Sequence, residues 1–323
     1  MHYNNPKSKR KNIFREIYDS HAYKNILQHR KIPKFPFLLD AEITNYCPLS
    51  CLFCAQNAMH RPKGFMSVKI FKKLADECAE HNTPIRLIRW GEPFMHSKII
   101  EFAKYVKRKG LPLHITNNGL KITEKQMSEL TNMELDSMIF SLQGATKQGY
   151  QIMRNNDRYD ELKNNILRMV EIRGEKEKPF IHISSTTTDE TNKEIKQFVD
   201  YWGSIVDSVG IGKTKMSRFS ANQLKSFEVA RKLEMLKEHE TADKSYRPCT
   251  EVYQKLSVNW DGKVSCCCDD YDDYLIVGNL NNSTLQDIWN NSWELKTFRA
   301  MLDRGMFKSL ALCGTCYHTY EEF

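Results

Sequence analysis

The chain lacks any apolar run long enough to cross a membrane. Its purely apolar stretches end after a few residues, as at Phe37-Leu38-Leu39, whereas a spanning helix needs about 20. No apolar stretch follows the basic start MHYNNPKSKRKN, so no secretory signal is expected. Glycine (14) and proline (10) are sparse in 323 residues, which excludes a collagen and a low-complexity chain. No internal repeat is visible, which argues against a solenoid. What remains is a globular composition, 41% hydrophobic and 27% charged. At roughly 100–200 residues per domain, the length suggests two domains. A soluble, cytoplasmic protein with no membrane partner is expected.

Acidic residues are nearly absent from the first 34 positions. Nine Lys/Arg stand there against Glu16 and Asp19, so about seven of the eight net positive charges lie in this segment. Residues 1–36 therefore read as a basic leader with one amphipathic helix around Ile13–Leu27. The rest of the chain is near neutral, which argues against a nucleic-acid protein.

Cysteine is abundant. Cys47, Cys51 and Cys54 come first, Cys78 stands alone, then follow Cys249, the triplet Cys266-Cys267-Cys268, and Cys313 with Cys316. In a reducing compartment such clustering is not a disulfide framework. Soft ligands at short spacing point to a thiophilic metal centre. Cys78 falls on the apolar face of a helix and reads as core.

Between these groups the chain alternates between strand-like and helix-like stretches. Strands are expected at Phe37–Thr44, Pro84–Trp90, Leu111–Asn117, Asp136–Gln143, Phe180–Thr188 and Val206–Lys213. Helices are expected at Ser67–His81, His96–Gly110, Thr123–Asn132, Lys147–Arg154, Tyr159–Arg173 and Asn192–Gly203. Six such units joined by right-handed crossovers predict a parallel α/β fold, an open barrel or a wound sheet. Ligands then sit at the carboxyl ends of the strands. Residues 37–216 form this core, 217–246 a helical bridge, and 247–323 a small cysteine-dependent domain with turn signals such as Trp260-Asp261-Gly262.

Cys47, Cys51 and Cys54 follow the first strand as C-x3-C-x2-C. Three thiolates can hold three irons of a [4Fe-4S] cluster and leave the fourth without a protein ligand, and an open position marks chemistry rather than scaffolding. A structural zinc would want a fourth ligand, for which His60 is the nearest histidine.

The segment Asn45-Tyr46-Cys47-Pro48-Leu49-Ser50-Cys51-Leu52-Phe53-Cys54, with Phe53 before the third cysteine, resembles the cluster loop of the radical S-adenosylmethionine (SAM) superfamily. The resemblance implies a partial (β/α)6 TIM-like barrel. It implies an open iron that chelates SAM, and a 5′-deoxyadenosyl radical that abstracts a hydrogen atom from substrate. A flavodoxin- or ferredoxin-type donor would supply the electron. Further matches cover about residues 37–215. Trp90-Gly91-Glu92-Pro93 resembles the family's GGEP element, with Trp90 in place of the first glycine, so Gly91 and Glu92 would hold the SAM amino group. Taken alone, Gly-Glu-Pro is a strand-ending turn. Asn117-Asn118-Gly119 resembles a Thr-Asn-Gly segment near the cofactor. Ser141-Leu142-Gln143-Gly144 resembles Ser-x-Asp-Gly, with Gln143 departing from the acid. Arg154, ten residues after Gly144, matches an arginine that pairs with the SAM carboxylate. Thr186, within Ser184–Thr188, offers a hydroxyl to ribose.

Cys249, Cys267, Cys313 and Cys316 have 17, 45 and 2 residues between successive members. With Gly278-Asn279-Leu280 and Ile288-Trp289 they resemble the SPASM/twitch extension of the same superfamily. The spacing is close to that of the aminocyclitol dehydrogenase of butirosin biosynthesis. The cysteine count implies one auxiliary [4Fe-4S] cluster with four protein ligands. The family spacing from Gly262 selects Cys267 of the triplet. Cys266 and Cys268 remain spare, both turned to the opposite face if the segment is a strand. They are candidates for a hydrogen-atom donor or for packing. A zinc ribbon is the competing reading of the same four cysteines.

The resemblance favours a small polar substrate, a sugar, sugar nucleotide or aminocyclitol, oxidised or epimerised. Peptide-modifying members generally carry an extra recognition module, for which the roughly 36 leading residues are too few. Polar strand residues are the substrate-facing candidates: Arg89, His182 and Lys213 first, then Arg86, His114 and Lys215. The lysines and arginines suit a phosphorylated ligand. A peptide maturase is the alternative. The non-enzyme alternative is a zinc-stabilised nucleic-acid-binding protein.

Overall fold

A computed structural model describes residues 1–214, 227–237 and 249–316. Six parallel strands follow one another in the sheet: β2 (Leu38–Ala41), β3 (Ile85–Leu87), β4 (Leu113–Asn117), β5 (Ser137–Ser141), β6 (Phe180–Thr187) and β7 (Ser208–Lys213). Helices connect them: α3 (Val68–Glu80), α4 (Ile99–Arg108), α5 (Glu124–Asn132), the pair α6 (Lys147–Arg154) and α7 (Tyr159–Arg173), and α8 (Asn192–Gly203). The fold is the expected α/β partial barrel with a cysteine-bearing C-terminal domain. The helices begin where short polar side chains take up free backbone amides. Ser67 accepts from the Ile70 amide, and Thr123 with Gln126 and Thr191 with Glu194 form capping boxes.

Strand alternation sorts the side chains into two faces. Leu39, Ile85 and Leu113 form one row and lie in the hydrophobic core with Phe71 and Phe102 of the covering helices. Asp40, Arg86, His114 and Ser137 form the neighbouring row on the opposite face. That polar row is satisfied internally. Arg86 forks onto both Asp40 oxygens at 2.7 and 2.8 Å, and His114 meets Ser137 Oγ at 2.6 Å.

The leader is not a free arm. His2–Asn4 form β1, which pairs antiparallel with β7, and the Met1 ammonium donates to the Ile211 carbonyl. The single expected helix is two, α1 (Ile13–Asp19) and α2 (His21–His29). Ser20 breaks it in extended conformation, ending the first and capping the second through the Tyr23 amide. Phe14 of α1 packs on His114, and Tyr18 Oη accepts from Arg86, so α1 covers the polar row.

Of the expected bridge, residues 227–237 are described, as helix α9 (Phe227–Lys237); the remainder lies outside the described residues. Beyond it, β8 (Lys255–Val258) pairs parallel with β2 and turns back through Asn259–Gly262 into β9 (Lys263–Ser265), which pairs with β10 (Ile276–Asn279). Gly262 sits at φ 89°, a conformation that glycine adopts without steric cost. The sheet therefore has ten strands, in the order β1-β7-β6-β5-β4-β3-β2-β8-β9-β10. Helices α10 (Leu285–Asn291) and α11 (Trp293–Asp303) follow. Glu77 and Lys73 of α3 bind the amides of Leu285 and Gln286 and the carbonyls of Leu280 and Ser283, tying this part to the barrel. No described helix is long and apolar enough to cross a membrane.

Candidate functional site

The first cysteine group lies in the loop that leaves β2. The loop is pinched at its base. The Asn45 amide donates to the Pro62 carbonyl at 2.9 Å and its oxygen accepts from the Gly64 amide at 2.9 Å, while Thr44 Oγ1 donates to the Gly64 carbonyl at 2.8 Å. Inside the loop, Asn57 donates to the Cys51 carbonyl, and the buried Gln56 amide donates to the carbonyls of Asn45 and Trp90. Gln56 thus joins the cysteine loop to the turn after β3. Nothing in its sequence context singled it out.

Three elements converge on the cysteine loop. Asn118, after β4, points its amide at Cys47 Sγ (3.8 Å), and Arg154, at the end of α6, points Nη1 at Cys51 Sγ (3.5 Å). The Arg154 guanidinium also lies over the Phe53 ring, 5.7 Å from its centre. Gly91 is pressed against the backbone of Thr44, and a Cβ there would land on the Thr44 carbonyl oxygen. Glu92 is buried, accepting from the Phe94 amide at 3.0 Å and the Asn118 amide at 2.7 Å. Burial raises the Glu92 carboxyl to about 7, although these two amides oppose the shift.

Asn117 does not face the cysteines. Its amide donates to the Ile139 carbonyl and its oxygen accepts from the Gly119 amide, so its side chain is spent on the turn. The neighbouring Asn118 occupies the position expected of it, a difference of one residue that a turn sequence leaves open. Ser141 meets Arg154 through its carbonyl. Thr186 Oγ1 is engaged by the Gln143 amide and by Thr214 Oγ1, so the amide that replaces the family's acid is held among hydroxyls.

These residues fit an anionic iron–sulfur cluster with a bound zwitterion. Burial raises the Cys47 thiol to about 11, so metal, not proton loss alone, must draw out the thiolate. Arg154 Nε is buried and lacks a hydrogen-bond partner among the described residues, leaving a charged donor beside Cys51. No three described His, Cys, Asp or Glu side chains form a group that could hold a single metal ion. A cubane instead spreads its thiolates over separate irons.

The second group assembles from three places. Cys249 precedes the turn at Glu251–Tyr253, Cys267 follows β9, and one 3-10 turn begins at Cys313 and is capped by Cys316. Burial raises the Cys249 thiol, and Glu251, Cys316 and Cys313 lie close enough to act on it electrostatically. Cys267 feels Cys249 in the same way, and burial with Cys316 raises Cys313 to about 12. The triplet does not alternate, because β9 ends at Ser265. Cys266 is 1% exposed within the hydrophobic core, which removes it as a hydrogen-atom donor. The Cys268 thiol donates to Glu251 Oε2 at 3.3 Å, beside Lys255.

The substrate candidates separate. Arg89 has a side chain only 1% exposed, turned onto the carbonyls of Cys267 and Asp270. It therefore joins the two halves of the chain and does not line a substrate cavity. His182 stacks on His2 and bonds Ser208 near the amino end of its strand, away from the cysteine loop. Burial lowers it to about 4, so it is a neutral, half-buried histidine. Arg86 and His114 belong to the polar row under α1. Lys213 is exposed at the carboxyl end of β7. Lys215 lies outside the described residues.

Two family profiles match, the radical SAM superfamily over residues 41–201 and the SPASM iron–sulfur cluster-binding domain over 249–317. The tungsten-containing aldehyde ferredoxin oxidoreductase cofactor-modifying protein of Pyrococcus furiosus is 24% identical over 310 residues, covering 84% of this chain and 86% of that one. The PqqA peptide cyclase of Ruegeria pomeroyi is 27% identical over 112 residues, covering 34% of this chain and 30% of that one. Among solved structures, BtrN in complex with AdoMet and 2-DOIA superposes with a TM-score of 0.56 at 17% identity, covering 89% of this chain and 96% of that one. The two domains bring a SAM-binding [4Fe-4S] cluster and an auxiliary cluster. This chain is a member of the radical SAM superfamily, a radical SAM enzyme with a C-terminal SPASM domain.

Proposed function

We propose that the enzyme oxidises a small polar substrate, a sugar, sugar nucleotide or aminocyclitol, by hydrogen-atom abstraction. Cys47, Cys51 and Cys54 hold the SAM-binding cluster. Gly91, Glu92 and Asn118 form the wall that receives the SAM amino group, and Arg154 takes its carboxylate. Cys249, Cys267, Cys313 and Cys316 hold the auxiliary cluster. Bound there, these groups would supply the 5′-deoxyadenosyl radical that takes the hydrogen atom from a hydroxyl-bearing carbon and an acceptor for the one electron left on that carbon, while the hydroxyl proton leaves to a base.

The observation that carries oxidation over epimerisation is the auxiliary set itself. Four thiols close a cluster completely, leaving it able to exchange electrons but not to bind substrate. Epimerisation needs a hydrogen-atom donor; Cys266 is sealed in the core, and the Cys268 thiol is turned onto Glu251. Two end-to-end similarities support a small molecule: the P. furiosus protein is named for modifying a cofactor, and BtrN was solved with 2-DOIA. The peptide cyclase similarity covers about a third of each chain, but Streptococcus suis SuiB bound to its precursor peptide SuiA also superposes over 92% of this chain and 74% of that one, with a TM-score of 0.64 at 15% identity. A peptide maturase is the second reading on those two similarities. The test is anaerobic reconstitution with iron and sulfide, then SAM and dithionite, with 5′-deoxyadenosine measured against sugar nucleotides, aminocyclitols and peptides. A dehydrogenase yields oxidised product. Solvent deuterium on the product carbon in D2O would overturn oxidation in favour of epimerisation, and stimulation by peptides alone would overturn the small-molecule reading.

A further inference from the structure

Arg89 is the residue whose surroundings the proposed reaction leaves unexplained. It stands just past β3 with φ at 121°, a backbone region that favours glycine. Such a conformation persists only where the surroundings over-determine it. Here they do. Nη1 reaches the Cys267 carbonyl at 3.3 Å and Nη2 the Asp270 carbonyl at 2.5 Å. Trp90, at the position where the family has glycine, donates Nε1 to the same Asp270 carbonyl at 3.2 Å. Two consecutive side chains therefore cross from the turn before Glu92 to the loop that carries Cys267.

Arg89 shares its nearest carboxylate with a second guanidinium. Its Nε lies 4.0 Å from Glu42 Oε2, but Glu42 is already forked by Arg61 at 2.6 and 2.5 Å. One carboxylate thus faces two guanidiniums, and Arg89 Nε lacks a hydrogen-bond partner among the described residues. The Asp270 carboxylate is taken up by Ser265 Oγ and the amides of Tyr274 and Leu275. The buried Arg89 guanidinium thus sits directly against the peptide of Cys267, with the buried Asp270 carboxylate on the same loop. Net charge and hydrogen bonding near a cluster set its reduction potential, and a buried charge acts strongly because little water screens it.

We propose that Arg89 is a positioning residue for the auxiliary cluster: it fixes the Cys267 loop and holds beside it a buried positive charge that raises that cluster's reduction potential. Trp90 is the neutral half of the same tether. The proposal rests on the reading that Cys267 is an auxiliary-cluster ligand.

The test is an EPR-monitored redox titration of the anaerobically reconstituted full chain. Arg89→Gln should move the auxiliary potential to a more negative value while the first cluster stays in place. Arg89→Lys and Trp90→Phe, which keep the charge, should hold the auxiliary potential near that of the parent. Glu42→Gln removes the compensating charge and should move it the other way, to a more positive value. Opposite shifts from two neighbouring substitutions do not arise from loosening of the loop. An unchanged potential in Arg89→Gln, or an equal fall in Arg89→Lys, overturns the proposal. Should Arg89→Gln fail to retain iron, Glu42→Gln decides: an upward shift supports the proposal, and none or a downward one overturns it. Wild-type protein with roughly four irons instead of eight would overturn the auxiliary-cluster reading itself.

Discussion

The Asn118 amide donates to Glu92 Oε2 at 2.7 Å, so the turn after β4 is bolted to the turn after β3 through a buried carboxylate. The other oxygen holds the Phe94 amide. Replacing Glu92 with Ala strands two buried N–H groups, at about 1–3 kcal/mol each. Glu92→Ala should therefore unfold earlier in denaturant by roughly 2–6 kcal/mol and lose SAM-dependent 5′-deoxyadenosine formation.

Gly91 leaves no room for a side chain against Thr44. Gly91→Ala must separate the Gly-Glu-Pro turn from the cysteine loop. A displacement of this kind costs about 10²-fold in rate. The expected outcome is a slowed 5′-deoxyadenosine assay with full iron content, since no cysteine moves out of reach.

The triplet gives a sharp contrast in iron content. Cys267→Ser should drop the reconstituted protein from roughly eight irons to four, and Cys268→Ser should leave eight. Cys266→Ser should keep the iron but place a hydroxyl in the core, at about 1–3 kcal/mol of stability. Iron and sulfide assays beside denaturation curves separate the three.

Burial alone would raise the Asp40 carboxyl, but Arg86 and then Lys255 hold it down at about 2. Its folded value lies below the unfolded one, so it contributes stability that is full above about pH 4 and is lost as pH falls toward 2. Across that window the loss is on the order of 2 kcal/mol. Asp40→Asn should lack this limb of the acid titration. Arg86→Met should cost about 3–5 kcal/mol at neutral pH, because it leaves a buried carboxylate without its fork.

His114 acts earlier in the acid range. Burial, helped by Arg86, lowers it to about 3. The unfolded chain takes up a proton that the folded chain refuses, so stability falls as pH drops below 6.5, by about 1.4 kcal/mol per unit once well below that value. His114→Gln should flatten the pH dependence of the denaturation midpoint between pH 6 and 4.

Much of the barrel was legible because its signals are local. Helices α6, α7 and α8 fall at their expected bounds, and Thr146 and Thr191 cap the first and last of these through backbone amides. Strands ran shorter than expected: Phe37–Thr44 gave only Leu38–Ala41, because the apolar pattern continues into the loop while the ladder pairing stops. Strands β1 and β8 were not foreseen, since each owes its existence to a partner about 200 residues away. The cysteine positions marked both metal groups, but the roles of Asn118, Gln56 and Arg89 depend on turns and packing that spacing does not encode. A polar residue at a strand end reads as substrate-facing whether it lines a cavity, as was expected of Arg89, or braces a neighbouring loop.

The parallel pairing of β8 with β2 also fixes an order of assembly. Ala41 cannot meet Val258 until more than 200 further residues have been made and have left the ribosome. Through most of translation β2 is an unprotected sheet edge, which invites wrong pairing and aggregation. Truncated versions ending before residue 255 should therefore be insoluble.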